Sequence, residues 1–219
     1  EADGLLTIVD IAPELPGAVE FVEKASKLCT VSIAHTDCTY DHAKAAVDAG
    51  VTHLTHLYNA MPGIHHRNPG PIIAASENEN VYGQLITDGT HIHPAVVRAF
   101  IKLLGEDRVV IISDTMRACG LEDGEYDLGG QPVFVVDGVA RIANGAIAGS
   151  TTTLFGCVRA AIKKMEVPEE LAVKMATENP ARLMGLNKGK IEVGYDADFI
   201  VVDEDFNLKK AYTMRDFAN

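Results

Sequence analysis

Four polar residues follow apolar, strand-like runs of this chain, and their order constrains its fold more than any other feature. They are His35, His56, His91 and Asp114, separated by 21, 35 and 23 residues. These separations suit consecutive strand–helix units. In a (β/α) barrel, polar residues at the carboxyl ends of neighbouring strands converge on one face, where the active site lies. The spacing therefore predicts part of such a barrel, with a catalytic site at the strand ends.

The apolar runs alternate with helical patterns, as expected for parallel strands that are buried on both faces. We expect strands over residues 5–11, 31–34, 52–57, 81–87 and 109–113, and helices over 18–29, 41–49 and 94–104. Five strands are too few to close an eight-stranded barrel. The predicted fold class is therefore α/β, a partial TIM-like (β/α) barrel.

The pattern changes beyond Asp114. The expected elements are, in order, glycine-rich short strands over 126–142, a helix capped by Ser150 or Thr151 that reaches Met165, a helix opened by Pro168, a helix capped by Asn179, and a β tail over 189–203. We assign residues 1–186 to the barrel portion. Residues 187–219 are expected to form a small C-terminal β segment that belongs to a β-sandwich domain.

Composition excludes several classes of partner. A formal net charge of −12 opposes binding to nucleic acid or to an anionic membrane, and no run of Lys or Arg offsets it. No stretch approaches the ~20 apolar residues that span a bilayer, and the first residues lack the basic start of a signal peptide. We therefore expect a cytoplasmic protein. The four cysteines contain no C-x-x-C pair, so we expect ordinary buried thiols.

His35 and His56 are the best candidates for metal ligands, because strand-end imidazoles on adjacent barrel strands converge without help from flexible loops. A third ligand, commonly a carboxylate, is not identifiable in the sequence. Asp114 is placed to take a proton from a water molecule and to pass it to a leaving group. The expected cofactor is a divalent metal ion, zinc first, although such ligands also accept iron, cobalt or manganese. This chemistry is that of a metal-dependent hydrolase.

The remaining polar candidates are weaker. We assign His42, His53 and His93 to surface or packing roles. The loop over residues 63–70 places Arg67 beside two histidines in a chain that is otherwise acidic, which suits an anionic group, above all a phosphate. The alternative is a solvated loop, and the loop alone does not decide between the two.

A set of short motifs carries a family resemblance. The main motifs are AHTDCT at 34–39, THLYNAMP at 55–62, DGTH at 88–91 and SD at 113–114, supported by GS at 149–150, ENPA at 178–181 and the glycine-containing tail at 189–198. Together they resemble the N-acetylglucosamine-6-phosphate deacetylases, a family of the amidohydrolase superfamily. The resemblance runs from about residue 10 to about residue 202. The octapeptide at 55–62 is highly specific, whereas the tail pattern is shared by the whole superfamily.

The resemblance implies a hydrolase that removes the N-acetyl group from a 6-phosphorylated amino sugar. It implies His35 and His56 as metal ligands and Asp114 as the general base and then the acid. The residues implied for substrate binding are Asn59, Ala60, Arg67, Asp88, His91, Ile147, Ala148 and Gly149. In the family the counterpart of Arg67 reaches across a dimer interface, so the resemblance also implies a homodimer.

Family members carry further barrel strands upstream, with a glutamate that binds the metal. We therefore expect that this chain holds strands four to eight and lacks the third metal ligand. Two alternatives stay open at this point. The chain could belong to another amidohydrolase that acts on a cyclic amide, or it could be an inactive fragment or binding module.

Overall fold

A five-stranded parallel sheet forms the centre of the computed structural model, which describes residues 4–217. Its strands, in spatial order, are β1 (Ile8–Ile11), β2 (Thr30–Ile33), β3 (His53–Leu54), β4 (Tyr82–Ile86) and β5 (Val109–Ile112). Each strand pairs in parallel with the next one along the chain. This arrangement confirms the predicted α/β class and the partial (β/α) barrel, because consecutive parallel neighbours are the order in which such a barrel is built.

Helices connect the strands and continue beyond them. They are α1 (Ala18–Ala25), α2 (Tyr40–Ala49), α3 (Gly70–Ser76), α4 (Pro94–Leu104), α5 (Leu154–Met165), α6 (Glu169–Ala176) and α7 (Glu178–Leu183). The Thr39 side chain caps α2 by accepting from the backbone N–H of His42. His93 caps α4 in the same way, by accepting from Ala95 N–H. No helix within residues 4–217 has the length and apolarity needed to cross a bilayer.

Several predicted boundaries were wrong for identifiable reasons. Helix α1 ends at Ala25 rather than at residue 29, because the chain turns after Ser26. Helix α5 is capped by Thr153, not by Ser150 or Thr151. The hydroxyl of Ser150 instead accepts from Thr152 N–H, and the hydroxyl of Thr151 donates to a carbonyl oxygen outside the helix.

Asn179 lies inside α7 and does not cap it. Its side-chain amide donates to the carbonyl oxygens of Glu106 and Val109, at 2.8 Å and 2.7 Å. These bonds fasten α7 to the start of β5, so the Asn179 side chain makes a tertiary contact instead of capping the helix.

The cysteine prediction was correct for Cys38 and Cys157, which are buried, and wrong for Cys29 and Cys119, which are partly exposed.

Two antiparallel sheets follow the parallel one. The small sheet consists of β6 (Gly124–Leu128), β7 (Gln131–Val136) and β8 (Val139–Ile142) and has a separate apolar core made by Met116, Ala118, Val133, Val135 and Ala140. The C-terminal sheet pairs β9 (Phe199–Val202) with β10 (Leu208–Tyr212). Strand structure in the tail therefore begins at residue 199, not at 189. The predicted boundary between the barrel portion (1–186) and the C-terminal β segment (187–219) stays a prediction. Residues 1–3 of the first unit and 218–219 of the second lie outside the described residues.

One face of the parallel sheet packs on the helices. Gly83 of β4 allows this close approach: a Cβ there would lie 2.4 Å from Leu57 Cδ1 and 2.9 Å from Phe100 Cζ of α4. A side chain at this position would therefore overlap the main core. The absence of a side chain is what brings the helical layer into contact with the strand.

The opposite face carries a chain of polar groups. Asp10, Ser32 and His53 are register neighbours on three adjacent strands. His53 Nδ1 lies 3.0 Å from Ser32 Oγ, which lies 2.8 Å from Thr55 Oγ1, and Thr55 donates to Asp10 Oδ1 at 2.9 Å. His53 is fully buried, and this burial lowers its pKa from 6.5 to about 4. His53 is therefore a buried packing residue of the sheet, one of the two roles that the sequence analysis gave it.

Candidate active site

The parallel strands end in a common pattern. The residue two positions after the last residue of β2, β3, β4 and β5 is, respectively, His35, His56, Asp88 and Asp114. Three of them have backbone φ angles in the left-handed region, namely 46° at His35, 34° at His56 and 48° at Asp114. Side chains other than glycine rarely adopt such angles, and strain of this kind concentrates at functional sites.

The strand-end prediction for His91 was wrong. Strand β4 ends at Ile86, so the residue that corresponds to the histidines of the neighbouring strands is Asp88. His91 follows three residues later in a turn. The sequence analysis extended this strand to Thr87 and took the DGTH motif at 88–91 as its end, whereas the structure leaves Thr87 outside the sheet.

His35 and His56 form a close pair. Their Nε2 atoms lie 3.0 Å apart, with the rings edge to face at 87°. Two imidazole nitrogens that each lie about 2.0 to 2.1 Å from one tetrahedral zinc ion are separated by roughly 3.3 to 3.4 Å, so the observed spacing is within a few tenths of an ångström of that of two ligands of one metal. No group of three or more His, Cys, Asp or Glu within residues 4–217 is arranged to hold a metal. The described residues thus provide two converging imidazoles and no third ligand.

The loop after His56 is held by its own hydrogen bonds. The side-chain amide of Asn59 donates to the carbonyl oxygens of His56 and Leu57, at 3.2 Å and 3.1 Å, and the backbone N–H of Asn59 also donates to His56. The backbone N–H of Ala60 donates no hydrogen bond within the described residues, while its carbonyl accepts from Thr36 N–H. That last bond joins the loop of His56 to the loop of His35.

Asp114 is fixed through its backbone. Its carbonyl oxygen accepts from Ser150 N–H at 2.8 Å, and Met116 N–H donates to Ser150 in return. The preceding residue, Gly149, has a φ of 70°, and a Cβ there would lie 3.2 Å from the Asp114 carbonyl oxygen. A glycine at 149 therefore allows the two segments to lie side by side.

Asp88 and His91 form a second pair. His91 Nδ1 lies 2.7 Å from Asp88 Oδ2, and both side chains are about 95% buried. The other carboxylate oxygen, Oδ1, accepts from the backbone N–H groups of Thr90 and His91. Burial alone would raise the pKa of Asp88, but the hydrogen bonds from His91 and Thr90 outweigh it and hold the pKa below its ordinary value.

An open cleft of about 510 Å³ collects most of the predicted site. Its lining includes His35, His56, Asn59, Ala60, His91, Asp114, Ile147, Ala148 and Gly149, all of which the sequence predicted. It also includes Tyr58, Thr115, Met116, Leu128 and Ala146, which the sequence analysis did not select. Tyr58 could have been found, because it lies within the octapeptide at 55–62. Leu128 carries no such signal, since it reaches the cleft only through the pairing of the small sheet.

Two predicted residues are absent from this lining. Asp88 lies behind His91, as its contacts show. Arg67 lies on an exposed loop, where its Nη1 is 2.6 Å from His66 Nε2. Arg67 does not line this cleft, and its predicted contact with a bound molecule across a dimer interface is untested.

A parallel (β/α) sheet with paired imidazoles and a carboxylate at its C-terminal edge defines the class of (β/α)-barrel hydrolases, which bind catalytic metals at this position. Residues 11–218 match the model of the amidohydrolase family. The chain belongs to the amidohydrolase family, whose members are generally metal-dependent.

Two named relatives show which members of this family the chain resembles. The chain is 39% identical over 198 residues to N-acetylglucosamine-6-phosphate deacetylase of Lysinibacillus sphaericus, covering 90% of this chain and 51% of that one. It is 33% identical over 217 residues to N-acetylgalactosamine-6-phosphate deacetylase of Escherichia coli O157:H7, covering 98% and 57%. The chain thus spans about half the length of the curated relatives it matches.

A solved structure agrees with these relatives. N-acetyl-D-glucosamine-6-phosphate deacetylase of Mycobacterium smegmatis, as a mutant in complex with N-acetyl-D-glucosamine-6-phosphate, superposes with a TM-score of 0.93 at 38% identity. The match covers 97% of this chain and 57% of that one. The parallel sheet and its appended small sheet are therefore arranged as in a deacetylase of this family.

Proposed function

We propose that the protein containing this chain removes the acetyl group from N-acetylglucosamine 6-phosphate, releasing acetate and glucosamine 6-phosphate. In this proposal the chain supplies two metal-binding imidazoles, the general base and most of the sugar cleft. The observation that carries it is the 3.0 Å approach of His35 Nε2 and His56 Nε2 in a cleft that Asp114 also lines. The named relatives supply the choice of substrate.

His35 and His56 would hold the metal, zinc in the first instance. A bound divalent ion polarises the substrate carbonyl and lowers the pKa of water to about 7. Asp114 accepts a proton from the attacking water and then donates it to the amide nitrogen as the C–N bond breaks. The oxygen of the water remains on the acetyl carbon, so the products are acetate and a free amine.

The sugar phosphate needs positive or N–H groups in a chain of net charge −12. Ala60 lines the cleft and offers a backbone N–H with no hydrogen bond to the described residues. Arg67 would be contributed by the second subunit of a homodimer, since it lies outside the cleft of its own chain. Because a charged sugar phosphate does not cross a bilayer unaided, we place the reaction in the cytoplasm.

The test is acetate release by the complete gene product that contains this chain, with zinc present. Asp114→Asn should reduce kcat/KM by about 10²- to 10⁴-fold, because the amide cannot accept the proton. The matched control is Asp205→Asn, on an exposed turn away from the cleft, which should leave turnover unchanged. Equal turnover by the Asp114 and Asp205 variants would reject Asp114 as the base.

The epimer N-acetylgalactosamine 6-phosphate is the second candidate substrate, because one relative is named for it at 33% identity. Both sugars should be assayed side by side at equal concentration. A higher kcat/KM for the galactosamine derivative would move the assignment to that sugar. No turnover of either sugar, with zinc, iron, cobalt or manganese, would reject the deacetylase proposal.

A further inference from the structure

The buried pair of Asp88 and His91 is not explained by substrate binding through Asp88 itself. Asp88 Oδ1 accepts two backbone N–H bonds, from Thr90 at 2.8 Å and from His91 at 3.0 Å. Asp88 Oδ2 accepts from His91 Nδ1 at 2.7 Å and lies 3.4 Å from Ser150 Oγ. The carboxylate is therefore surrounded by protein donors, and its side chain is only 5% exposed.

The same contacts determine which nitrogen of His91 is protonated. A carboxylate oxygen accepts hydrogen bonds, so the 2.7 Å contact requires the proton on His91 Nδ1. The ring then has one nitrogen left, Nε2, which makes no hydrogen bond to the described residues. His91 lines the cleft although its side chain is only 4% exposed, so the ring can offer the cleft only its edge.

We propose that Asp88 is a positioning residue, which fixes the Nδ1–H form and the orientation of His91 so that the unprotonated Nε2 accepts a hydrogen bond from a hydroxyl group of the sugar. The inference rests on the proposed function for the identity of the ligand. Asp88 does not touch the substrate; it acts through His91. A carboxylate that orients an imidazole in this way is common behind functional histidines, and its removal typically costs about 10- to 100-fold in affinity or activity.

Ser150 extends this arrangement to the general base. Its hydroxyl lies next to Asp88, and its backbone N–H donates to the carbonyl oxygen of Asp114. The residue that orients His91 and the segment that carries Asp114 therefore share one neighbour. Through this contact the sugar-binding edge of the cleft and its catalytic edge are kept at a fixed separation.

A double-mutant cycle tests the proposal in the complete gene product. Asp88→Asn keeps the shape of the side chain but cannot hold the Nδ1–H form of His91 unambiguously. It should lower kcat/KM for N-acetylglucosamine 6-phosphate by about 10- to 100-fold, mostly through KM. In a His91→Ala background the same change should cost less than about 3-fold. Equal losses in the two backgrounds would overturn the proposal, because Asp88 would then act independently of His91.

A spectroscopic readout separates this inference from the proposed activity. Nitrogen-15 NMR of imidazole-labelled protein distinguishes the Nδ1–H and Nε2–H forms of a histidine, with His91→Gln used to assign the signal. The wild-type protein should show a protonated Nδ1 at His91, and Asp88→Asn should remove that preference. A wild-type Nε2–H form with a bare Nδ1 would overturn the inference. If the sugar is not turned over at all, the deacetylase proposal fails and this measurement still decides the role of Asp88.

Discussion

Three side chains of the site, His35, His56 and Asp114, sit on residues with left-handed backbone angles, an arrangement that costs free energy at each position. Hydrogen bonds from neighbouring loops hold these residues in place, as between Thr36 and Ala60 and between Ser150 and Asp114. Hydrogen bonds between segments distant in sequence therefore offset the free-energy cost of these backbone angles. The position of Asp114 also depends on a small residue, Gly149, which lets its segment approach that of Asp114.

Gly149→Ala tests this dependence at one residue. The new Cβ would lie 3.1 Å from Met116 Cβ and 3.2 Å from the Asp114 carbonyl oxygen, at a φ of 70°. We expect a loss of about 1 to 3 kcal/mol in the free energy of unfolding, and at least a tenfold loss in kcat/KM as Asp114 shifts. Denaturant unfolding and acetate release measure the two effects.

The matched control is Gly145→Ala, which has a φ of 88° but no atom within 4 Å of the added Cβ. It should cost about 1 kcal/mol from the backbone angle alone and leave kcat/KM intact. If both variants lose activity equally, contact with the Asp114 segment is not the cause.

At the scale of elements, β4 lies close to Leu57, in the loop after β3, and to Phe100 of α4. Gly83 makes room there for Leu57 Cδ1 and Phe100 Cζ. The loop that follows Leu57 carries Asn59 and Ala60, so the packing of Leu57 also affects the position of this loop in the cleft. A change at Gly83 would therefore affect both the packing of the core and the geometry of the cleft.

Gly83→Ala should destabilise the protein by about 1 to 3 kcal/mol, because the added methyl overlaps Leu57 and Phe100. Thermal or denaturant unfolding measures the change. Gly124→Ala, in β6, provides the control: its Cβ would meet Tyr126 at 3.8 Å, an ordinary contact, so stability should change little. Adding Leu57→Ala to Gly83→Ala should recover part of the loss relative to the sum of the two single changes. Strict additivity would show that the overlap with Leu57 is not responsible.

The sequence predicted those elements whose ends carry local signals. Helix α4 was predicted with its observed bounds, since Pro94 begins it and Gly105 ends it. Helix α3 was missed, because Gly70 and Pro71 at its start resemble a continuation of the preceding loop. It is stabilised by burial of Ile72 and Ala74, a tertiary effect with no local pattern.

In the site, too, the residues that could be predicted were those with a local sequence signal. His35, His56 and Asp114 could be predicted because each ends an apolar run. Leu128 could not, since only the pairing of the small sheet brings it to the cleft. The position of Asp88 behind His91 depends on where β4 ends, and strand ends are the least reliable part of any sequence-based assignment.

On the scale of the whole molecule, stability depends on pH through a histidine that stays neutral in the fold. His53 belongs to the polar chain that links Asp10, Ser32 and Thr55 across three strands, and burial lowers its pKa to about 4. In the unfolded chain the pKa returns to about 6.5. Between these values the unfolded state binds more protons than the folded state, so acid favours unfolding.

The free energy of unfolding of the metal-free protein should therefore fall as the pH is lowered from 6.5 toward 4, by up to roughly 3 kcal/mol from His53. Stability from this source is fully present above pH 6.5. Urea unfolding at several pH values, with a chelator present, measures the slope. His53→Gln should flatten it, whereas His42→Gln, at an exposed position, should leave it unchanged. An unchanged slope in the His53 variant would contradict this account.

The separate core of the small sheet has a consequence for how the cleft opens. Leu128 belongs to β6, and Ala148 packs against the core of that sheet, whereas His35 and His56 follow strands of the parallel sheet. A unit with so few buried side chains opens at a lower free energy than the main body. One wall of the cleft can thus unfold locally and reclose while the imidazole pair keeps its spacing. Entry to the cleft then requires no loosening of the imidazole pair.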